Sequence, residues 1–316
     1  MKEREGNTLE AKAAAQHHEA MRALFISLLG LMVTATIQAV VVAMSGSTAL
    51  LADTIHNYAD ALTSIPLGIA FILSRRPPSR HFLYGLNRSE DIAGLVIILV
   101  IAISAVVTGY ESYERILHHQ APTHLLAVAI AAVIGFLGNE WVAFYRVKMG
   151  KRMGSAALIA DGHHAQIDGL TSLAVLIGVF GTYFGLPILD PVIGLVITVM
   201  IIFIVKDSAK MIFLRLLDGI EPSLIERVTD VAHQVPGVQT VVDVRARWFG
   251  HEIQTELSIA VDSAMSVKDG HEIAKAVIQT LQREIPHVGS IQVHVDPVEE
   301  KGAGFHLVSG EAHSQH

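Results

Sequence analysis

Asp161-Gly162-His163-His164-Ala165-Gln166-Ile167-Asp168 opens an apolar run that continues through Thr171-Ser172-Leu173-Ala174-Val175-Leu176-Ile177 to about Phe184. Four residues separate His164 from Asp168, so on a helix they share a face with Cβ atoms about 5–6 Å apart. The same Asp-x-x-His-x-x-x-Asp pattern recurs at Asp53-Thr54-Ile55-His56-Asn57-Tyr58-Ala59-Asp60, again inside a long apolar run. Two such pairs facing each other provide two imidazoles and two carboxylates, a donor set suited to tetrahedral zinc.

Composition bears on where these pairs sit. The 316 residues are 51% hydrophobic and only 17% charged, with mean hydropathy +0.47, figures that mark a membrane protein. A net charge of −7 gives no support to nucleic-acid binding. Cysteine is absent, which excludes disulfides, thiolate metal sites and thiol catalysis. Any metal is therefore held by histidine and carboxylate.

Residues 1–20 are polar and charged and read as a cytoplasmic tail or short surface helix. Residues 21–206 then hold six apolar spans: 21–44, 49–73, 92–113, 125–145, the run after Asp161, and 188–205. The first is too long for a secretory signal and reads as a retained helix. Arg75-Arg76-Pro77-Pro78 ends the second, because consecutive prolines cannot continue a helix. Arg75, Arg76, Arg80, Arg88, Arg146, Lys148, Lys151 and Arg152 fall in loops on one side, and Arg115 alone on the other. By the positive-inside rule both termini are cytoplasmic.

From 207 to 298 the pattern changes. An amphipathic helix begins at Pro222 and two strand-like runs follow, 238–247 and 253–261, the second alternating strictly. A helix at 267–284 and a strand at 290–295 complete an αββαβ order, a small two-layer α+β domain. Residues 299–316 read as a disordered tail.

Each polar residue within the apolar part has a bland reading beside the functional one. His56 alone reads as a histidine bonded across the bundle, and a lone aspartate as one half of an ion pair. No Lys or Arg is expected at comparable depth, however, and two helices repeat the same His–Asp step, which favours a site. Asp53 and Asp161, three residues before each histidine, are placed to orient an imidazole by accepting its second N–H, or to cap an aqueous entrance. His163 points about 100° away from His164 and is not a ligand of that face. Gln38, Asn57 and Gln166 read as interhelical hydrogen-bonding groups. Asn139-Glu140 reads as interfacial. In the C-terminal domain the candidates are His251, Glu256, His271, His294 and Asp296, of which His294 and Asp296 share a strand face.

These residues resemble the cation diffusion facilitator family of divalent metal cation/proton antiporters over about 21–297. The resemblance runs through Gly46-Ser47-Thr48-Ala49-Leu50-Leu51-Ala52-Asp53, His56 and Asp60, then Tyr84-Gly85-x-x-Arg88-x-Glu90, the Asp161 motif, and Gln292-Val293-His294-Val295-Asp296-Pro297. It implies six transmembrane helices, a ferredoxin-like cytoplasmic domain and a homodimer. It places His56, Asp60, His164 and Asp168 at the transport site and Arg88 and Asp218 at a charge interlock near the membrane surface. Leu86 stands where the family carries an extra histidine ligand, and Val242 and Glu256 stand where some members carry cytoplasmic ligands. His271, His294 and Asp296 match. The domain is also similar to that of magnetosome-associated members, which brings in iron or an assembly role.

The expected function is export of a divalent cation, Zn²⁺ first, in exchange for protons across a bacterial inner membrane, with the same metal as a regulator. The partners are a second copy, the lipid bilayer, the metal cation and protons. Two rivals belong to other classes. A membrane zinc hydrolase would keep an open coordination position and a general base, whereas four protein ligands close this site. A metal-sensing scaffold would not need intramembrane ligands.

Overall fold

A computed structural model describes residues 2–45, 54, 57–58, 61, 64–118, 124–186 and 188–300, and divides into two compact units, Met1–Phe213 and Leu214–His316. Asp53, His56 and Asp60 lie outside the described residues, as does the stretch after 300.

The first unit is helical: α1 (Lys2–Ser45), α2 (Ser64–Ser74), α3 (Ser89–His118), α4 (Leu125–Met153), α5 (Ala156–Tyr183) and α6 (Leu189–Leu216). Five contain spans long and apolar enough to cross a bilayer, and α2 is a shorter apolar helix within the second expected span. Their lipid-side residues are large and exposed, such as Phe25, Leu99, Phe144 and Phe203, as expected where lipid rather than water is the solvent. The buried sides are lined by small residues. A Cβ on Gly138 would collide with Thr34, and one on Gly135 would stand 2.9 Å from Gln38 Nε2. Glycines here let side chains of α1 pack directly on the backbone of α4, the usual means of helix association in lipid.

Three boundaries differ from the sequence reading. α1 begins at Lys2, so the polar N-terminal stretch is helical and continuous with the first span. Its Ala-, Glu- and Lys-rich composition has high helix propensity. α4 runs on to Met153, so the basic segment 146–152 is helix, not loop. α6 continues to Leu216, past the expected change of domain at 206, because no breaker precedes Gly219 and Met211-Ile212-Phe213-Leu214 stay apolar.

Between α4 and α5 only Gly154 and Ser155 remain. Gly154 takes φ 72°, the left-handed conformation that glycine adopts without steric cost, and its N–H bonds to the Gly150 carbonyl. Ser155 caps α5 by accepting from Leu158 N, and its hydroxyl donates to the buried Glu90 Oε2 on α3 at 3.2 Å. One serine therefore ends the turn and ties it to α3.

The second unit contains the last turn of α6, then α7 (Pro222–His233), β1 (Thr240–Phe249), β2 (Glu252–Val261), α8 (Val267–Glu284) and β3 (Val288–Pro297). The sheet order is β1-β2-β3, with β1 antiparallel and β3 parallel to β2. The expected αββαβ order is present. The core forms between the sheet and the two helices, from Val228, Ala232, Leu257, Ile259, Val277 and Leu281 among others. Gln254, Glu256 and Ser258 alternate onto the other face, with Gln292 and His294 beside them in register.

Candidate metal centre

His164 and Asp168 lie on the buried side of α5, with side chains 2% and 9% exposed. His164 Nδ1 stands 3.8 Å from Asp168 Oδ1. That is too long for a hydrogen bond. Two donors about 2.1 Å from one tetrahedral zinc ion are themselves about 3.4 Å apart, so the pair is spaced close to an edge of such a polyhedron.

The neighbourhood of the second pair is partly visible. Asn57 Nδ2 donates to Gln38 Oε1 at 2.6 Å, Gln38 Nε2 donates to the Ala131 carbonyl at 3.1 Å, and Tyr58 Oη lies 3.0 Å from Thr36 Oγ1. The residues flanking His56 are thus fastened to α1, and through Gln38 to α4. Gln38 and Asn57 are the interhelical groups the sequence suggested.

Two expectations about depth and partners are corrected. Arg146, read as a loop residue, is 1% exposed inside α4. Its Nη1 lies 2.9 Å from Asp161 Oδ2, an ion pair off the hydrogen-bonding angle, and Asp161 is fully buried. Asp161 therefore has a cationic partner at its own depth, and this carboxylate faces the guanidinium instead of standing as an orienting acceptor for His164. The reason is helical phase. Arg146 falls on the same stripe as Gly135, Asn139, Val142, Ala143, Gly150 and Met153, all buried. The one-sided excess of positive residues keeps its sign without it.

Asn139 is 3% exposed and sits in the body of α4, not at its end. Beside it, Glu140 reaches α5: a Cβ on Gly169 would stand 3.1 Å from Glu140 Oε1. A further carboxylate therefore lies against Gly169, the residue after Asp168, although the sequence reading had placed it at the membrane interface. His163 Nδ1 is 2.8 Å from Ser208 Oγ on α6, a different face from that of His164, as expected.

The interlock candidates fall in different units, and each has a partner in its own. Arg88 Nη1 is 3.8 Å from Asp91 Oδ2, and Arg247 Nη1 is 3.5 Å from Asp218 Oδ2.

In the C-terminal unit, His294 Nε2 lies 2.8 Å from Asp296 Oδ1. Asp296 and His271 line one cavity of about 350 Å³ with Asp262, Ser263 and Ser266. Glu256 lines another, with Asp218, Arg245 and Arg247. His251 is at the β1–β2 turn, whereas His294 pairs in register with Ser258. At about 3.3 Å per residue, His251 is over 20 Å along the strand from His294 and cannot share a metal with it in one chain. Among the described residues no three His, Asp or Glu side chains gather tightly enough to hold a metal.

A family model described as "Cation efflux transmembrane domain" matches residues 24–217, and "Cation efflux protein, cytoplasmic domain" matches 220–298. The chain is 45% identical over 293 residues to the "Probable cation efflux system protein Rv2025c" of Mycobacterium tuberculosis, covering 93% of this chain and 87% of the relative. It is 27% identical to the "Magnetosome protein MamB" of Magnetospirillum gryphiswaldense, covering 80% and 86%. A solved nickel form of a MamM C-terminal-domain variant is 31% identical over 24% of this chain and 98% of that one, with a TM-score of 0.24.

Proposed function

Because the chain belongs to the cation diffusion facilitator (cation efflux) family, and is a multi-pass transporter of metal cations and not an enzyme, we propose that it exports Zn²⁺ in exchange for protons through His56, Asp60, His164 and Asp168. The observation that supports this most directly is the buried His164–Asp168 pair, spaced like two vertices of a tetrahedral zinc site. Two imidazoles with two carboxylates favour zinc over harder ions, which select oxygen-only ligands.

Proton coupling follows from the donors themselves. Imidazole binds metal only when neutral, and carboxylate only when ionised, so protons and metal compete for the same four groups. Metal enters from the cytoplasmic side when the site is deprotonated. Higher proton activity on the far side displaces it, and the protonated site returns. The working unit is a homodimer in the bacterial inner membrane with both termini cytoplasmic, a reading supported by the match to the family's cytoplasmic domain and by the one-sided loop charge. His271, His294 and Asp296, with Glu256 or His251 contributed by a second copy, form the regulatory site.

A second reading is export of iron or manganese, or a metal-sensing assembly role. The identity to a magnetosome protein favours it. The intact ligand pair on α5 counts against a purely structural role.

The test is metal-driven proton flux in sealed proteoliposomes. Zn²⁺ should acidify or alkalinise the lumen according to its direction of movement, and Asp168→Ala should abolish both fluxes while leaving a folded dimer. Zinc movement at the native rate with Asp168→Ala would remove this site from the mechanism.

A further inference from the structure

We propose that Arg146 is a positioning residue for the metal site: its guanidinium fixes the separation between the two helices that carry the two halves of the ligand set. The inference rests on the reading of His56, Asp60, His164 and Asp168 as that site.

A guanidinium carries five N–H donors in a rigid planar fork. Arg146 directs three nitrogens to three different helices. Nε donates to Ser27 Oγ on α1 at 2.9 Å, Nη2 donates to Ser64 Oγ on α2 at 2.6 Å, and Nη1 faces Asp161 Oδ2 on α5 at 2.9 Å. All four side chains are nearly inaccessible to solvent, at 1% for Arg146 and Ser64 and 0% for Ser27 and Asp161. One side chain on α4 therefore gathers α1, α2 and α5.

The two outer contacts stand in a specific relation to the ligands. Ser64 follows Asp60 by four positions, and Asp161 precedes His164 by three. On α5 that interval is about one helical turn. Arg146 thus bridges the second and fifth spans at residues close in sequence to each half of the ligand set. Close approach on the α5 side depends on Gly162, since a Cβ there would stand 2.9 Å from Val147 N and 3.1 Å from Arg146 Cβ. The pair is neutral as a whole, so it adds no net charge beside a divalent cation.

Lysine at 146 keeps the charge and can reach one partner, but it cannot hold three divergent partners in a plane. Charge and geometry are therefore separable. The experiment compares Arg146→Lys and the double variant Arg146→Gln/Asp161→Asn, which leaves no lone buried charge, with wild type and Asp168→Ala. Folded dimer is isolated by size exclusion, and Zn²⁺ affinity per folded protomer is measured by competition with a chelating dye. Transport is measured in proteoliposomes.

Both position-146 variants should weaken zinc binding about tenfold or more, the range seen when groups supporting metal ligands are lost. Their KM should rise, and measurable zinc-driven flux should persist. Native zinc affinity in folded Arg146→Lys and in the folded double variant would overturn the proposal, whatever their yields. If no folded double variant is recovered, the affinity of Arg146→Lys alone decides. Native flux and affinity in Asp168→Ala would instead indict the ligand assignment and would leave the Arg146 result to be read separately.

Discussion

The guanidinium carbon of Arg215 stands 3.9 Å from the centroid of the Trp248 ring, in the last turn of α6 and near the end of β1. Arg215 Nη1 also donates to the Gly250 carbonyl at 3.4 Å, and Trp248 Nε1 donates to Glu221 Oε2 at 3.3 Å. The stack buries both side chains, to 6% and 7% exposure, so the cation meets the ring with little competing water. The chain entering the domain is thereby fastened to the sheet twice, through Arg215 and through Glu221. Trp248→Ala should lower the stability of the C-terminal unit by about 3–5 kcal/mol, and Arg215→Gln by about 1–2 kcal/mol. Urea unfolding followed by the fluorescence of a probe in α8 checks both. Equal effects of the two variants would mean that the ring's packing contributes nothing beyond the cation.

Gly162→Ala tests the contact between α4 and α5. The added methyl meets backbone at Val147 N, which cannot rotate aside. Overpacking of this kind costs about 1–3 kcal/mol. We expect a lower midpoint of thermal unfolding in detergent and a higher KM for zinc, because α5 is displaced from α4. An unchanged KM in folded protein would show that the helix spacing does not reach the ligands.

His56→Asp exchanges a borderline nitrogen donor for a hard oxygen donor. Discrimination against harder or larger ions should weaken, so flux of Mn²⁺ or the larger Cd²⁺ relative to Zn²⁺ should rise in competition assays in proteoliposomes. A selectivity ratio equal to wild type would show that the ligand set does not decide the metal.

His294→Ala tests regulation. His294 and Asp296 already touch, and Asp296 shares a cavity with His271. With too few donors gathered among the described residues of one chain, a metal here would recruit ligands from a second copy and favour the arrangement in which the copies are close. The variant should need more cytosolic zinc for half-maximal transport while keeping the maximal rate. Zinc titration with small-angle scattering should show compaction in wild type that His294→Ala lacks.

The two-layer domain was legible because its periods differ cleanly: Ile253, Thr255, Leu257, Ile259 and Val261 alternate, while Leu224, Val228 and Val231 recur at helical spacing. The His164–Asp168 step was legible for the same reason, since four residues return to one face whatever surrounds them. Arg146 was hidden by its neighbours. Lys148, Lys151 and Arg152 follow it closely and give the segment the look of a cytoplasmic loop. A continuous stripe from Val128 through Ala131, Gly135, Val142 and Ala143 to Gly150 and Met153 carries the signal that it is helix. Only that phase separates the one buried cation from the three residues beside it. Its serine partners come from distant spans and Asp161 from the next helix, and no local pattern announces such a meeting.

The turn at Gly154-Ser155 also bears on how the chain enters the membrane during synthesis. An arginine within a lone inserting helix costs about 2.5–3.5 kcal/mol at the helix centre and less near its ends. With only two residues between α4 and α5, the carboxylate that neutralises Arg146 emerges directly behind it. The two spans are therefore expected to leave the insertion machinery together, as a hairpin that carries its own counter-ion. A long polar segment spliced between Gly154 and Ser155 would delay Asp161. Reporter mapping should then find α4 partly stranded outside the bilayer, a defect that Arg146→Leu would relieve.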